Sequence, residues 1–269
     1  MKNNKTVIVA PAIKTKFWKD LYKSFCKSKV PFHFVFVGHI KPDFSLPENF
    51  TYIFCELGAA ECVEIAYRYT YKNLTDTKYI INIADDIKVP EYFLDNLILF
   101  YKKQSLEHNN DFLIVSPISN GYFDEENLMA FYEGGPVLLG PALTTVENSK
   151  KIGGLDRRFK AIYWDCDRHL RAHQAGASVL FANCNELPPP KEIEYTPTGG
   201  LWNKYYKIDF TFLKDLWEAE EGGDLNLFCS SMQDINGRPT NVLSQKKVSL
   251  KRRDKVIEYD DFYLRKYYE

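Results

Sequence analysis

The feature that most constrains this chain is the alternation of short apolar runs with longer amphipathic stretches through its first half. The amphipathic stretches, 14–27, 59–71 and 91–103, carry apolar residues at helical spacing. The apolar runs are four to six residues long: Thr6–Ala10, Phe32–Val37, Phe50–Cys55, Lys78–Ile83 and Phe112–Val115. Strands that alternate with helices of this length predict βαβ units. We therefore predict an α/β fold with a mainly parallel sheet and helices on both faces.

The second half of the sequence is less regular. Trp164–Gln174 predicts a helix that ends before Gly176, and Ala177–Ala182 predicts a further strand. Residues 183–200 are rich in Pro and Gly, which predicts a long loop. A helix is expected over Asn203–Trp217, and no periodic pattern follows it.

Composition excludes several classes of protein. A hydrophobic share of 45% and a net charge of -1 over 269 residues argue against a disordered chain and against a global basic field for nucleic acid. The six cysteines form no C-x-x-C pair, which argues against a zinc module. No apolar run approaches the roughly 20 residues of a membrane span, and no signal-peptide core follows Met1. These features predict a cytoplasmic location.

The first candidate site is the acid pair Asp85-Asp86, which follows Ala84 and the predicted strand 78–83. In parallel sheets, ligands bind beyond the carboxyl ends of the strands, so both carboxylates are expected at the functional edge. Oxygen ligands suit Mg²⁺ and Mn²⁺, which also share the phosphate oxygens of substrates. The alternative is a turn in which one Asp accepts a hydrogen bond from a nearby backbone amide.

The second candidate site lies at the start of the predicted helix 164–174. Its first turn carries Asp165 and Asp167, and a Gly-Gly turn precedes it at Gly153. A carboxylate at a helix N-terminus is favoured by the helix dipole, so Asp165 can be a structural cap as well as a chemical group.

Together the two segments resemble the nucleotide-sugar-dependent glycosyltransferases of the GT-A fold, and in particular the inverting family 2. Members of that family show a strand that ends in an acid pair and is soon followed by a proline, as in Ile83–Pro90. They then show a Gly-Gly-x-Asp-x-x-Phe stretch and an acidic helix start, as in Gly153–Phe159 and Trp164–Asp167. The resemblance covers roughly residues 5–182 and implies a Rossmann-like GT-A core.

The resemblance also implies roles for single residues. Asp86 matches the acid that binds Mn²⁺ or Mg²⁺ at the donor diphosphate, and Asp85 the acid near the ribose or the metal. Asp165 matches the general base of an inverting transfer from a nucleotide-sugar donor to an acceptor hydroxyl. Residues matching the surroundings of the nucleotide are Pro11, Ala12 and Gly58, and those expected near the substrate are Trp164, Gly134 and Gly135.

Two departures from the family pattern concern the donor. His39 stands where members often carry an Asp that reads the base, so it is grouped with the nucleotide-binding residues, and the base itself stays open. Ala84 replaces the first acid of a full Asp-x-Asp. These departures leave a catalytically inactive GT-A binding module as one alternative.

The resemblance divides the chain into a catalytic core, 1–182, and an extension, 183–269. Within the core, the nucleotide-binding half is expected at about 1–116 and the acceptor half at about 117–182. The extension is expected to concern the acceptor, a glycan or, for an enzyme of the phage type, a modified base in DNA. The basic run Lys246–Lys255 is either a solvated face or a contact to such a polyanion.

Two other functions are alternatives to glycosyl transfer. His169 and His173 lie four residues apart, a spacing that can hold zinc in a hydrolase, but the zincin Glu is missing because position 170 is Leu. A dinucleotide-binding enzyme would carry a G-x-G-x-x-G turn after the first strand, where this chain reads Ala10-Pro11-Ala12.

Overall fold

The computed structural model describes residues 5–87, 89–117, 131–132, 135–136, 141–182, 201–219, 250–253 and 261–269. The strands in these ranges are β1 (Lys5–Pro11), β2 (Phe32–Gly38), β3 (Phe50–Phe54), β4 (Thr77–Asn82), β5 (Leu113–Pro117), β6 (Phe131–Tyr132), β7 (Gly135–Pro136), β8 (Ala142–Thr145), β9 (Ser178–Ala182), β10 (Trp217–Ala219) and β11 (Leu250–Arg252). The α-helices are α1 (Trp18–Phe25), α2 (Ala59–Asn73), α3 (Phe93–Glu107), α4 (Val146–Ile152), α5 (Trp164–Gln174), α6 (Leu201–Leu216) and α7 (Asp261–Tyr268), and a 3₁₀ turn spans Thr15–Phe17.

Within the described residues, the main sheet has seven strands in the order β3-β2-β1-β4-β8-β5-β9. Strand β1 lies parallel to β2 on one side and to β4 on the other, so that Ile8 is level with Phe34 and with Ile81. The chain leaves β1 toward β2, and it returns from β3 to β4 across β1. The strand order therefore reverses between β1 and β4, and this topological switch point is where open α/β sheets bind ligands.

Alternate residues of the central strands face two separate cores. On β1, Val7 and Val9 pack with α2, α5, α6 and α7, whereas Ile8 and Ala10 pack with α1 and α3. Both faces of the sheet are covered, and this explains why the strands read as nearly continuous apolar runs in the sequence. The predicted α/β class with a mainly parallel sheet is confirmed.

Three features differ from the sequence-based expectations. Strand β8 is antiparallel to both β4 and β5, a connection that the periodicity did not indicate. Helix α3 begins at Phe93 rather than at Glu91, because Tyr92 adopts a left-handed conformation (φ 59°) that interrupts the helix start after Pro90. Helix α7 lies where no periodic pattern was recognised, and its Leu264 is buried in the core with α2.

The elements after residue 200 share the core of the sheet. Leu213, Leu216 and Trp217 are buried in the same cluster as Cys166 and Leu170 of α5. Among the described helices, none combines the length and the apolar character that crossing a bilayer requires.

Candidate active site

Asp85 joins the end of β1 to the end of β4 at the switch point. Its Oδ2 accepts hydrogen bonds from the backbone N–H groups of Ile13 (2.7 Å) and Lys14 (2.6 Å) and from the indole Nε1–H of Trp18 (3.0 Å). The side chain is buried, and burial raises the pKa of Asp85 above its ordinary value, against the effect of these donors. Asp85 thus fixes the course of the β1 loop, which is the amide-bonding role that the sequence left open.

Asp86 lies next to it and has a different partner. Its Oδ2 accepts a hydrogen bond from the ammonium of Lys14, with which it forms an ion pair. The Asp86 side chain is 4% exposed and that of Lys14 is 26% exposed, so solvent reaches the lysine side of the pair more than the carboxylate side. The two predicted acids therefore have different roles: Asp85 accepts backbone N–H groups, and Asp86 pairs with the ammonium of Lys14.

The predicted nucleotide loop packs tightly on β2. Ala12 is buried and its N–H donates to Val37 (2.8 Å), while Pro11 ends β1. A Cβ atom at Gly38 would lie only 1.9 Å from the carbonyl oxygen of Ala12, so this position requires glycine. His39 follows it and is exposed at the carboxyl end of β2.

Gly58 begins α2 and contacts the segment that leads to α5. Its N–H donates to the carboxylate of Glu61 (2.6 Å), which caps the helix start. A Cβ atom at Gly58 would approach the carbonyl oxygen of Lys160 to 3.0 Å. The turn after β3 and the approach to Asp165 therefore lie against each other.

Asp165 occupies the first turn of α5, as the sequence predicted. It is half-buried, and its Oδ1 accepts the N–H of Cys166 (3.0 Å). The helix starts after Tyr163 in a left-handed conformation (φ 61°), and Trp164 is buried. Burial raises the pKa of Tyr67 on α2 against the charge of Arg168, and the charges of Glu64 and, less, of Asp165 add to the increase.

Sequence reasoning missed the acid that holds the loop before α5. Asp209 of α6 is fully buried, and its carboxylate accepts the N–H groups of Lys160 (3.0 Å), Ala161 (2.8 Å) and Ile162 (2.9 Å). No local signal marks this role, because Asp209 lies 48 residues from Ala161 in the chain.

A second buried network ties β11 to α5. Asp167 accepts hydrogen bonds from Arg171 (3.0 Å), from the indole of Trp217 (3.0 Å) and from Arg252 (2.9 Å), and Arg252 also pairs with Asp156 (2.6 Å). Although burial opposes it, hydrogen bonds from Arg158 and Arg252 hold the pKa of Asp156 below its ordinary value. Arg252 belongs to the predicted basic run, yet it serves internal ion pairs and does not form part of a solvated face.

The remaining predicted residues are placed as follows. Gly134 lies outside the described residues, and Gly135 is in β7, which pairs with β6. His169 is buried and His173 is half-buried on α5. Across the ranges that the structure describes, no group of three or more His, Cys, Asp or Glu side chains is arranged to hold a metal ion. The arrangement of His169 and His173 on α5 therefore does not support a zinc hydrolase.

Comparisons with known proteins give the following results. No protein-family model and no curated protein sequence matches the chain. Among solved structures, TarS of S. aureus (residues 1–349) is similar over 68% of this chain and 61% of its own, with 15% identity and a TM-score of 0.47. The mannosyltransferase PcManGT of Pyrobaculum calidifontis, solved with GDP-Man and Mn²⁺, is similar over 67% and 55%, with 14% identity and a TM-score of 0.49.

The Drosophila beta-1,4-galactosyltransferase 7, solved as a mutant with manganese, UDP-Gal and xylobiose, is similar over 71% of this chain and 66% of its own, with 14% identity and a TM-score of 0.41. This chain thus spans between 55% and 66% of these three solved chains. The function of this chain is argued below from its own residues.

Proposed function

We propose that this protein is an inverting glycosyltransferase that moves a sugar from a nucleoside-diphosphate donor to an acceptor hydroxyl. The observation that carries the proposal is the construction of the switch point between β1 and β4. There, Asp85 holds the loop after β1 by two backbone N–H groups, and Asp86 and Lys14 lie beside it. Ligands of open α/β sheets bind in the crevice at this point.

The nucleotide half of the donor is assigned to the loops that surround this crevice. Pro11 ends β1 and Ala12 follows it, His39 is exposed after β2, and Gly58 lies between β3 and α2. All of these residues follow parallel strands, so they lie at one edge of the sheet. Trp164, Gly134 and Gly135 are assigned to the sugar and the acceptor.

The residues at the switch point fit a divalent ion that is shared with the substrate. Asp86 offers one carboxylate, and the ion would share it with the ammonium of Lys14, which pairs with Oδ2. Mg²⁺ and Mn²⁺ complete such a site with water and phosphate oxygens rather than with a protein cage. When bound, the ion would supply positive charge to the departing diphosphate. Asp86 would hold it, while Asp85 would keep the loop in place.

Asp165 is assigned as the general base. It is a half-buried carboxylate at the start of α5, on a loop that Asp209 holds by three hydrogen bonds. A carboxylate fixed in this way can take the proton of an acceptor hydroxyl within hydrogen-bond reach. The hydroxyl then attacks the anomeric carbon from the face opposite the diphosphate, and the configuration inverts. We propose a glycan as the acceptor; Arg252 of the basic run is engaged in internal ion pairs and so does not serve a polyanion.

The test is a panel of UDP-, GDP-, ADP- and dTDP-sugars with Mn²⁺, with release of the nucleoside diphosphate as the signal and nucleotide binding measured by calorimetry. Asp165→Asn should slow release by about 10²-fold or more, and nucleotide affinity should be retained. The matched control is Glu147→Gln, an exposed acid of α4. Equal loss of release and binding in Asp165→Asn would reject the base assignment, and a wild-type protein that binds no nucleotide would reject the proposed function.

A further inference from the structure

Lys14 is built into the switch point more firmly than a surface lysine. Its backbone N–H is held by Asp85 at 2.6 Å, and the neighbouring N–H of Ile13 is held by the same oxygen at 2.7 Å. Its ammonium pairs with Asp86, whose side chain is almost fully buried. Backbone and side chain of this one residue are therefore each fixed by one member of the acid pair.

The ammonium of Lys14 has capacity beyond Asp86. A lysine ammonium carries three N–H donors, and it is a compact point charge that binds phosphates. The Lys14 side chain is 26% exposed, so the residue is not sealed inside the protein. The backbone N–H groups of residues 13 and 14 are already bonded to Asp85, so these two amides are not available to a phosphate.

We propose that Lys14 is a donor-binding residue whose ammonium contacts the diphosphate directly, so that nucleotide binding persists when divalent ions are removed. This inference rests on the proposed function. It gives the acid pair a second purpose: Asp85 and Asp86 hold a lysine at the point where the donor's negative charge is concentrated. Lys14 then supplies part of the positive charge that stabilises the diphosphate.

The experiment is calorimetry of UDP, GDP, ADP and dTDP with the full chain, in Mn²⁺ and in EDTA. The wild-type protein should bind one of these nucleotides in EDTA, and Lys14→Gln should weaken that binding by about tenfold or more, since a charge-assisted hydrogen bond is lost. Lys14→Arg, which keeps the charge, should recover most of the affinity. The matched control is Lys16→Gln, an exposed lysine two residues away that lies over the ring of Phe17 and should bind as the wild type does.

Lys14→Gln leaves Asp86 without its cation, so folding is checked by thermal unfolding of each variant. If Lys14→Gln does not fold, the double variant Lys14→Gln/Asp86→Asn removes both charges and is tested in EDTA in the same way. Two results would overturn the inference while leaving the proposed function intact: binding by the wild type only with Mn²⁺, or unchanged affinity of the lysine variant in EDTA. Absence of nucleotide binding by the wild type in both conditions would overturn the proposed function and this inference with it.

Discussion

At the scale of the residue, the same side chain does different work according to what surrounds it. Asp85 and Asp209 are buried and accept backbone N–H groups, so they shape loops. Asp86 is buried beside a cation, and Asp165 is half-buried in a first helical turn. These four carboxylates therefore differ in their burial and in their hydrogen-bond partners, and not in their chemistry.

The first prediction concerns Gly38, where a methyl group would collide with backbone. Gly38→Ala places Cβ 1.9 Å from the carbonyl oxygen of Ala12. The segment that follows β1 would have to move to relieve this clash. We expect the free energy of unfolding to fall by about 2–3 kcal/mol in urea denaturation. Gly176→Ala is the comparison, because its Cβ meets open space and only its left-handed φ of 87° is strained. That variant should lose about 1 kcal/mol, and an equal loss in both would show that the contact with Ala12 does not matter.

The second prediction concerns His33, whose imidazole accepts or donates a hydrogen bond with Thr51 (2.8 Å). Burial, with the charge of Lys5 adding, lowers the pKa of His33 to about 4, from an ordinary value of 6.5. At pH values between about 4 and 6.5, His33 therefore binds a proton in the unfolded chain but not in the folded chain. The stability from neutral His33 is complete above pH 6.5 and falls as the pH drops toward 4.

His33→Gln tests this directly, since glutamine does not titrate. The loss of unfolding free energy between pH 7 and pH 4.5 should be smaller in this variant by about 1–2 kcal/mol, a value reduced to allow for partial solvent screening. The matched control is His108→Gln, which replaces an exposed histidine of the same protein. Identical profiles for the wild type and His33→Gln would contradict the assignment.

At the scale of the element, α6 positions the approach to α5 although the two helices are far apart in sequence. Asp209 supplies three acceptor contacts to consecutive N–H groups that no strand or helix satisfies. Gly58 at the start of α2 packs against the carbonyl oxygen of Lys160 in the same segment. The orientation of Asp165 thus depends on three elements and not on α5 alone.

The third prediction follows from this arrangement. Asp209→Ala leaves the three N–H groups without their acceptor and should lower the free energy of unfolding by about 2–4 kcal/mol. Asp215→Ala removes an exposed acid of the same helix and should stay within about 0.5 kcal/mol of the wild type. Urea denaturation measures both, and similar values for the two variants would disprove the anchoring role.

At the scale of the whole molecule, the described residues after position 200 belong to the structure that holds the candidate base. Trp217 and Arg252 both donate to Asp167, two residues after Asp165. Leu213 and Leu264 lie in the core that also contains Leu170. The division into a catalytic core and an acceptor extension remains a prediction, but the two parts share buried contacts.

The fourth prediction concerns the ion pairs of Arg252. Arg252→Met removes one cation from both Asp156 and Asp167, which keep Arg158 and Arg171 as partners. We expect a loss of about 2–3 kcal/mol in unfolding free energy, below the cost of leaving a buried charge fully unpaired. Lys251→Met changes the exposed neighbour and should lie within about 0.5 kcal/mol of the wild type. A loss shared by both variants would point to β11 in general and not to the ion pairs.

The sequence by itself determined the α/β class, the parallel strands of the first half and the position of Asp165 in a first helical turn, because apolar periodicity and helix boundaries are local properties. Only the tertiary structure decided the antiparallel β8, the burial of Leu264 on α7 and the partners of each acid. Those features arise from contacts such as Asp209 with Ala161 or Arg252 with Asp156, 48 and 96 residues apart. The sequence does not distinguish a carboxylate that anchors a loop from one that binds a cation, because burial and hydrogen-bond partners exist only in the folded chain.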